Sequence, residues 1–179
     1  MICLTMACHA SAQAVTQPSH PEMVRIFSED QSDRAAGLNI DWSKVGERDA
    51  QRQAATRKLL IDGALATGGD FRAAAFVFQH GDTTDDYLLA HTLAMVAVAK
   101  GEQGALWIAT ATLDRYLIAI GRPQIYGTQY SRDRATRAWT QEPYQRELVS
   151  DSLRAHLGVK TSAEQAAQLA ALQAKAAPP

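Results

Sequence analysis

The chain has 179 residues, enough for one sizeable hydrophobic core and too few for two ordinary ones. A formal net charge of -1 with 21% charged residues offers neither the basic footprint of a nucleic-acid binder nor an acidic tail for a basic partner, so nucleic acid is not an expected partner. Hydrophobic residues make up 46% of the sequence but include only four Phe and three Trp, a composition that suits Ala-rich packed helices better than a β-sandwich.

The first residues read as an export signal. Met1 to Cys8 form a short apolar run, and Ala12-Gln13-Ala14 has the A-x-A cleavage pattern before Val15. This divides the chain into a signal segment at 1–14, a short leader at 15–20 and one helical domain at 21–177, with periplasmic or secreted location as the expectation. No Lys or Arg precedes the apolar run, and Cys8 after Ala7 leaves lipid modification as an alternative. Both cysteines, Cys3 and Cys8, fall in this segment, so the domain that follows has no disulfide and no thiol nucleophile. Nothing downstream approaches the ~20 apolar residues of a spanning helix, and no membrane insertion of the domain is expected.

Ser19 and Glu22 have capping-box spacing and Pro21 suits a first turn, so a short helix is predicted through Met23, Val24, Ile26 and Phe27. It ends in the acidic stretch Glu29 to Arg34, where Asp30 and Asp33 read as an exposed helix end. After a connection from Gly37 to Trp42, Ser43 to Ala66 predicts a long half-exposed helix stopped by Gly68-Gly69. Asp70 then caps a buried helix from Phe71 to Gln79. Thr83 with Asp86 starts a helix from Tyr87 to Lys100, and a tight turn at Gly101 to Gly104 leads into Ala105 to Ile120. These two form a central αα-hairpin, apolar almost all round. Ser131 to Tyr144 has no helical period and predicts an extended or hairpin insert. Ser150 caps a short helix to Leu157, and Thr161 with Glu164 caps a last Ala-rich one. The fold class expected is mainly α: a compact helical bundle with a central αα-hairpin and one irregular or short extended insert.

Polar residues inside apolar helices are the candidates for chemistry. Asp114 and Arg115 lie in the middle of the most apolar helix, where an ionised group must be paired or hydrogen-bonded or must face water. Neighbours on a helix diverge by about 100°, so each needs a partner elsewhere, in a structural network or in a site. His91 falls on the stripe Tyr87, Ala90, Ala94 and Val98 and reads as a hydrogen-bonded core residue. His80 stands at a helix end between Gln79 and Gly81, where it can serve as an acid, base or anion donor, or as a cap for carbonyls. The loop Arg122 to Tyr130 concentrates amides, phenols and a hydroxyl around Gly127, so Gln124, Tyr126, Thr128 and Gln129 are candidate ligand contacts. A rigid structural loop has the same composition. His80 and His91 are too far apart for a metal motif, no paired-Cys or H-E-x-x-H spacing occurs, and no cofactor is implied.

Four blocks, Glu29-Asp30-Gln31-Ser32-Asp33-Arg34, Phe78-Gln79-His80-Gly81, Leu113-Asp114-Arg115 and Pro123-Gln124-Ile125-Tyr126-Gly127-Thr128-Gln129, together resemble a bacterial domain-of-unknown-function family. The resemblance spans Met23 to Leu172. It implies a helical protein, often exported, and matches Gln31, Arg34, Gln79, His80, Asp114, Arg115, Gln124, Thr128 and Gln129 to the family's polar motifs. It implies no activity or cofactor.

Three function classes follow. The first is an exported binding or interaction module whose polar site takes a small polar molecule or a protein. The second is a hydrolase-like enzyme with His80, Asp114 and Arg115 catalytic and Gln79, Gln124, Tyr126, Thr128, Gln129, Gln31 and Arg34 around the ligand. The third is a tetratricopeptide- or Sel1-like scaffold, for which the sequence offers one hairpin and no sustained repeat.

Overall fold

The computed structural model describes residues 19–35 and 40–176. The export signal, its Cys8 alternative, most of the leader and the stretch 36–39 of the first connection lie outside the described residues. Those described form seven α-helices and one small two-stranded sheet. The mainly helical bundle expected from composition is the fold observed.

Helix α1 (Pro21–Ala35) runs through the acidic stretch rather than ending before it. Its buried residues Met23, Ile26 and Asp30 recur at i, i+3 and i+7, so Asp30 belongs to the core-facing stripe and not to an exposed end. Helix α2 (Trp42–Ile61) places Val45, Arg52 and Thr56 inward on one stripe and stops at Ile61, one turn earlier than the composition suggests. Leu65 returns to the core in the connection that follows.

The pair Gly68-Gly69 opens helix α3 (Gly68–Phe78) instead of terminating its predecessor. The cap is Thr67, whose hydroxyl accepts from the Asp70 N–H at 3.0 Å while the Asp70 carboxylate accepts from the N–H groups of Thr67 and Ala66. That carboxylate also accepts from the His20 N–H at 2.7 Å, tying the chain just before α1 to the start of α3. Burial opposes its charge, yet the donors from Thr67, His20 and Ala66 hold the carboxyl below its ordinary pKa. Thr67→Ala is expected to cost about 1 kcal/mol, read as a fall of roughly 2–4 °C in thermal unfolding.

Helix α4 (Thr84–Ala99) begins with the Thr83–Asp86 capping box read from the sequence, and helix α5 (Leu106–Ala119) follows a single 3-10 turn at Gln103–Ala105. Helix α3 packs on α4, α1 and α2, and α4 packs on α5. Alanine makes the close approach possible: Ala74, Ala75, Ala90, Ala94, Ala97 and Ala105 are almost fully buried among Phe78, Leu93 and Ile108. Neither hairpin helix is buried all round, since Leu88, Met95, Trp107 and Ile118 face outward. His91 is tied into the hairpin by a 2.9 Å contact between its Nδ1 and the Ala109 carbonyl, the core role expected for it.

Beyond α5 the insert contains β1 (Ser131–Arg132) and β2 (Trp139–Thr140), antiparallel with Ser131 opposite Thr140. Helices α6 (Asp151–His156) and α7 (Ser162–Ala176) start at Ser150 and Thr161 as the capping residues imply, and α7 packs on β2. None of the described helices is long and apolar enough to cross a membrane.

Candidate functional site

The four polar motifs do not form one cluster. They separate into a buried loop anchor around Asp114 and an open cleft around His80 and Arg115, and the divergence of Asp114 and Arg115 on α5 is what separates them.

Asp114 is fully buried, and its carboxylate is occupied by the loop after α5. One oxygen accepts from the N–H groups of Ile125 at 2.8 Å and Tyr126 at 2.9 Å. The other accepts from the Thr128 N–H at 2.9 Å and its hydroxyl at 2.8 Å. Gln124, also fully buried, works inside the same loop: its amide oxygen accepts from the Gln129 N–H, and its amide N–H donates to the carbonyls of Gln129 and Gln141. The Tyr126 carbonyl accepts from Arg154 and Gln165. Gly127 has φ +74, and a Cβ there would lie 2.4 Å from the Gln165 amide oxygen, so both backbone and space require glycine. The expected pairing of Asp114 with His80 is therefore replaced by a structural role. Gln124, Tyr126 and Thr128 bind the loop to the fold rather than lining the His80 cleft.

The cleft, about 300 Å³ in volume, opens between the end of α3, the middle of α5 and the seam of α1 with α2. Arg34, Trp42, Asp49, Gln79, His80 and Arg115 are among the residues that line it. Beneath it lies a charge network from two helices. Arg34 bridges Asp30 at 2.9 Å and Asp49 at 2.7 Å, Arg52 bridges Asp33 at 2.8 Å and Asp49 at 2.6 Å, and Arg48 reaches Asp33 at 2.7 Å. Three arginines thus face three aspartates. Asp30 is fully buried, and burial raises its pKa despite the opposing Arg34 cation. The exposed Gln31 steadies it, its amide donating to Asp30 at 2.8 Å.

His80 points its Nε2 at this carboxylate from 3.8 Å, beyond hydrogen-bond length. Its side chain is 19% exposed. Burial, reinforced by Arg34, Arg115 and Arg52 against the opposing Asp49, pushes the imidazole down to about 3. At neutral pH it is an uncharged donor and acceptor, and a weak general base. Asp30, not Asp114, is the carboxylate beside it. The sequence places Asp30 at an exposed helix end, and the structure instead buries it on the stripe that α1 turns toward the core.

Arg115 completes the cleft from α5. Its guanidinium donates to the Gln79 carbonyl at 2.6 Å and to the Gln129 side-chain oxygen at 3.3 Å, and it lies 5.8 Å from the Tyr87 ring centroid. Gln129 is itself aimed by its amide donating to the Ala111 carbonyl and the Thr128 hydroxyl. Among the described residues no carboxylate pairs with Arg115. Burial lowers its pKa, with Tyr87 opposing and Arg34 adding to the effect. Of the residues singled out from the sequence, the structure thus brings together Gln31, Arg34, Gln79, His80, Arg115 and Gln129. It adds Asp30, Trp42 and Asp49, whose positions on helix faces gave no hint of which neighbour they would meet. Among the described residues no group of His, Cys, Asp or Glu has an arrangement able to hold a metal ion.

Comparisons with family models, curated proteins and solved structures returned no match to the chain.

Proposed function

We propose that the protein is a helical binding module whose His80 cleft takes a small anionic ligand. The observation that carries this reading is Arg115: a half-buried guanidinium with only neutral oxygens as partners, in a cleft whose other arginines are already balanced by aspartates. A partly desolvated cation without a counter-charge gains most from an incoming carboxylate or phosphate, and its planar fork suits both. The neutral imidazole of His80 can donate one further hydrogen bond, and Gln79 and Gln129 hold the guanidinium in place. The expectation of export is compatible with this reading, which places the ligand outside the cytoplasm.

The test is titration of the folded protein with phosphate and small carboxylates, followed by calorimetry or thermal shift. Binding is expected, and Arg115→Ala is expected to weaken it tenfold or more while the carbonyl of Gln79 turns to water. Equal affinity of the Arg115→Ala variant would remove the reading.

A hydrolase reading is favoured by one observation of its own, the 3.8 Å approach of His80 to Asp30 at the floor of an open cleft. On this reading an anionic substrate at Arg115 offsets the cationic surroundings of the imidazole, raising its basicity, and Asp30 orients it. Turnover of a carboxylate or phosphate ester that disappears in His80→Gln, with ligand affinity retained, would support it over binding alone.

A further inference from the structure

Helix α2 contributes an unusual wall to the cleft. Trp42, Gly46, Ala50 and Gln53 follow one another at i, i+4, i+8 and i+11, and all four line the cavity. Trp42 is 65% exposed, and among the described residues its ring meets no aromatic or cationic partner. Gly46 lies inside a 20-residue helix, where glycine is unfavourable, and a Cβ built on it would meet no atom within 4 Å. Packing therefore gives no reason for glycine at this position. What its missing side chain does is leave open space on this face of α2, one turn after the exposed Trp42, in the same cavity that Arg115 lines.

From this juxtaposition we infer that the ligand is an anion carried on a single aromatic or heteroaromatic ring. Its carboxylate or phosphate faces Arg115, and its ring lies over Gly46 and Ala50 against Trp42. The cavity, at about 300 Å³, is at the small end of ligand sites and suits one ring rather than a polymer. A ring edge or face on indole adds affinity that a bare anion lacks, on the order of tenfold. The inference deepens the anion-site reading and rests on it.

Four probes separate the two: phenyl phosphate against inorganic phosphate, and benzoate against acetate, each titrated into the full chain with tryptophan fluorescence and calorimetry. The ring-bearing member of each pair is expected to bind roughly tenfold more tightly. Trp42→Ala should abolish that advantage and leave inorganic phosphate unchanged. Gly46→Leu should raise the melting temperature by a few degrees, because it restores helix propensity, and yet exclude the ring-bearing probes while the bare anions still bind. That opposition of stability and binding is not expected of a merely structural glycine. Equal binding within each pair, or an advantage that survives both substitutions, overturns the ring subsite and leaves the anion site standing. Failure of all four probes to bind overturns both.

Discussion

Replacing Asp114 by Ala is expected to destabilise the protein by about 3–5 kcal/mol, a fall on the order of 10 °C in thermal unfolding. The carboxylate is fully buried and accepts four hydrogen bonds, three of them from backbone N–H groups of Ile125, Tyr126 and Thr128. Truncation leaves those donors facing an apolar void, and each orphaned buried donor costs about 1–3 kcal/mol before relaxation. Asp114→Asn keeps an acceptor for one pair of donors but turns its amide N–H toward the other, so an intermediate loss is expected. Thr128→Val keeps the backbone N–H contact and removes the hydroxyl, which donates to Asp114 and accepts from the Gln129 amide, and should cost about 1 kcal/mol. Urea unfolding of the three variants orders these effects. A change below 1 kcal/mol for Asp114→Ala would show that the loop is held by its other contacts, with Gln124, Arg154 and Gln165 sufficient.

The second large effect is on acid stability, and it originates at His80. The imidazole titrates near 6.5 when unfolded and is pushed down to about 3 in the fold. Between those values the unfolded chain binds a proton that the folded chain does not, so stability falls as pH decreases through this window. The slope approaches 1.4 kcal/mol per pH unit, or about 5 kcal/mol across the window. Carboxyls act at the same time, the buried Asp70 and Asp30 among them. Asp70, held below its ordinary value, contributes stability that is lost on further acidification, whereas Asp30, raised by burial, contributes in the opposite sense as it protonates. His80→Gln isolates the imidazole from both. Between pH 7 and 4.5 the wild type is expected to lose roughly 2–3 kcal/mol more than the variant, measured by urea unfolding at each pH. Parallel losses in the two proteins would place His80 in a more hydrated setting than its 19% exposed side chain indicates.

These two residues show why Asp114 and His80 are so easily read as partners. Both are polar groups that apolar helices would not tolerate without compensation, and that much is a local property. Asp114 finds its compensation only 11 to 14 residues away, in a loop whose N–H groups turn toward it at Gly127. His80 lies beside a carboxylate 50 positions earlier, on a helix that reaches it by packing against α3. Neither distance is encoded in a helical period. Arg115 illustrates the same limit from the other side, since its departure from the Asp114 face follows from helix geometry alone, whereas the Gln79 carbonyl that receives it does not.

The sequence by itself determined the helical class, the αα-hairpin, the starts of α4, α6 and α7, and the core role of His91. All of these depend on contacts within a few residues: capping hydroxyls and carboxylates, glycine stops and a 3.6-residue stripe. It also marked which polar side chains required an explanation. Tertiary structure alone decided that Asp30 is buried, that Asp114 clamps a loop and that Arg34, His80 and Arg115 share a cleft. Those outcomes depend on how closely alanine-faced helices approach and at what angle they cross, and that geometry is a property of several elements packed together rather than of any one of them.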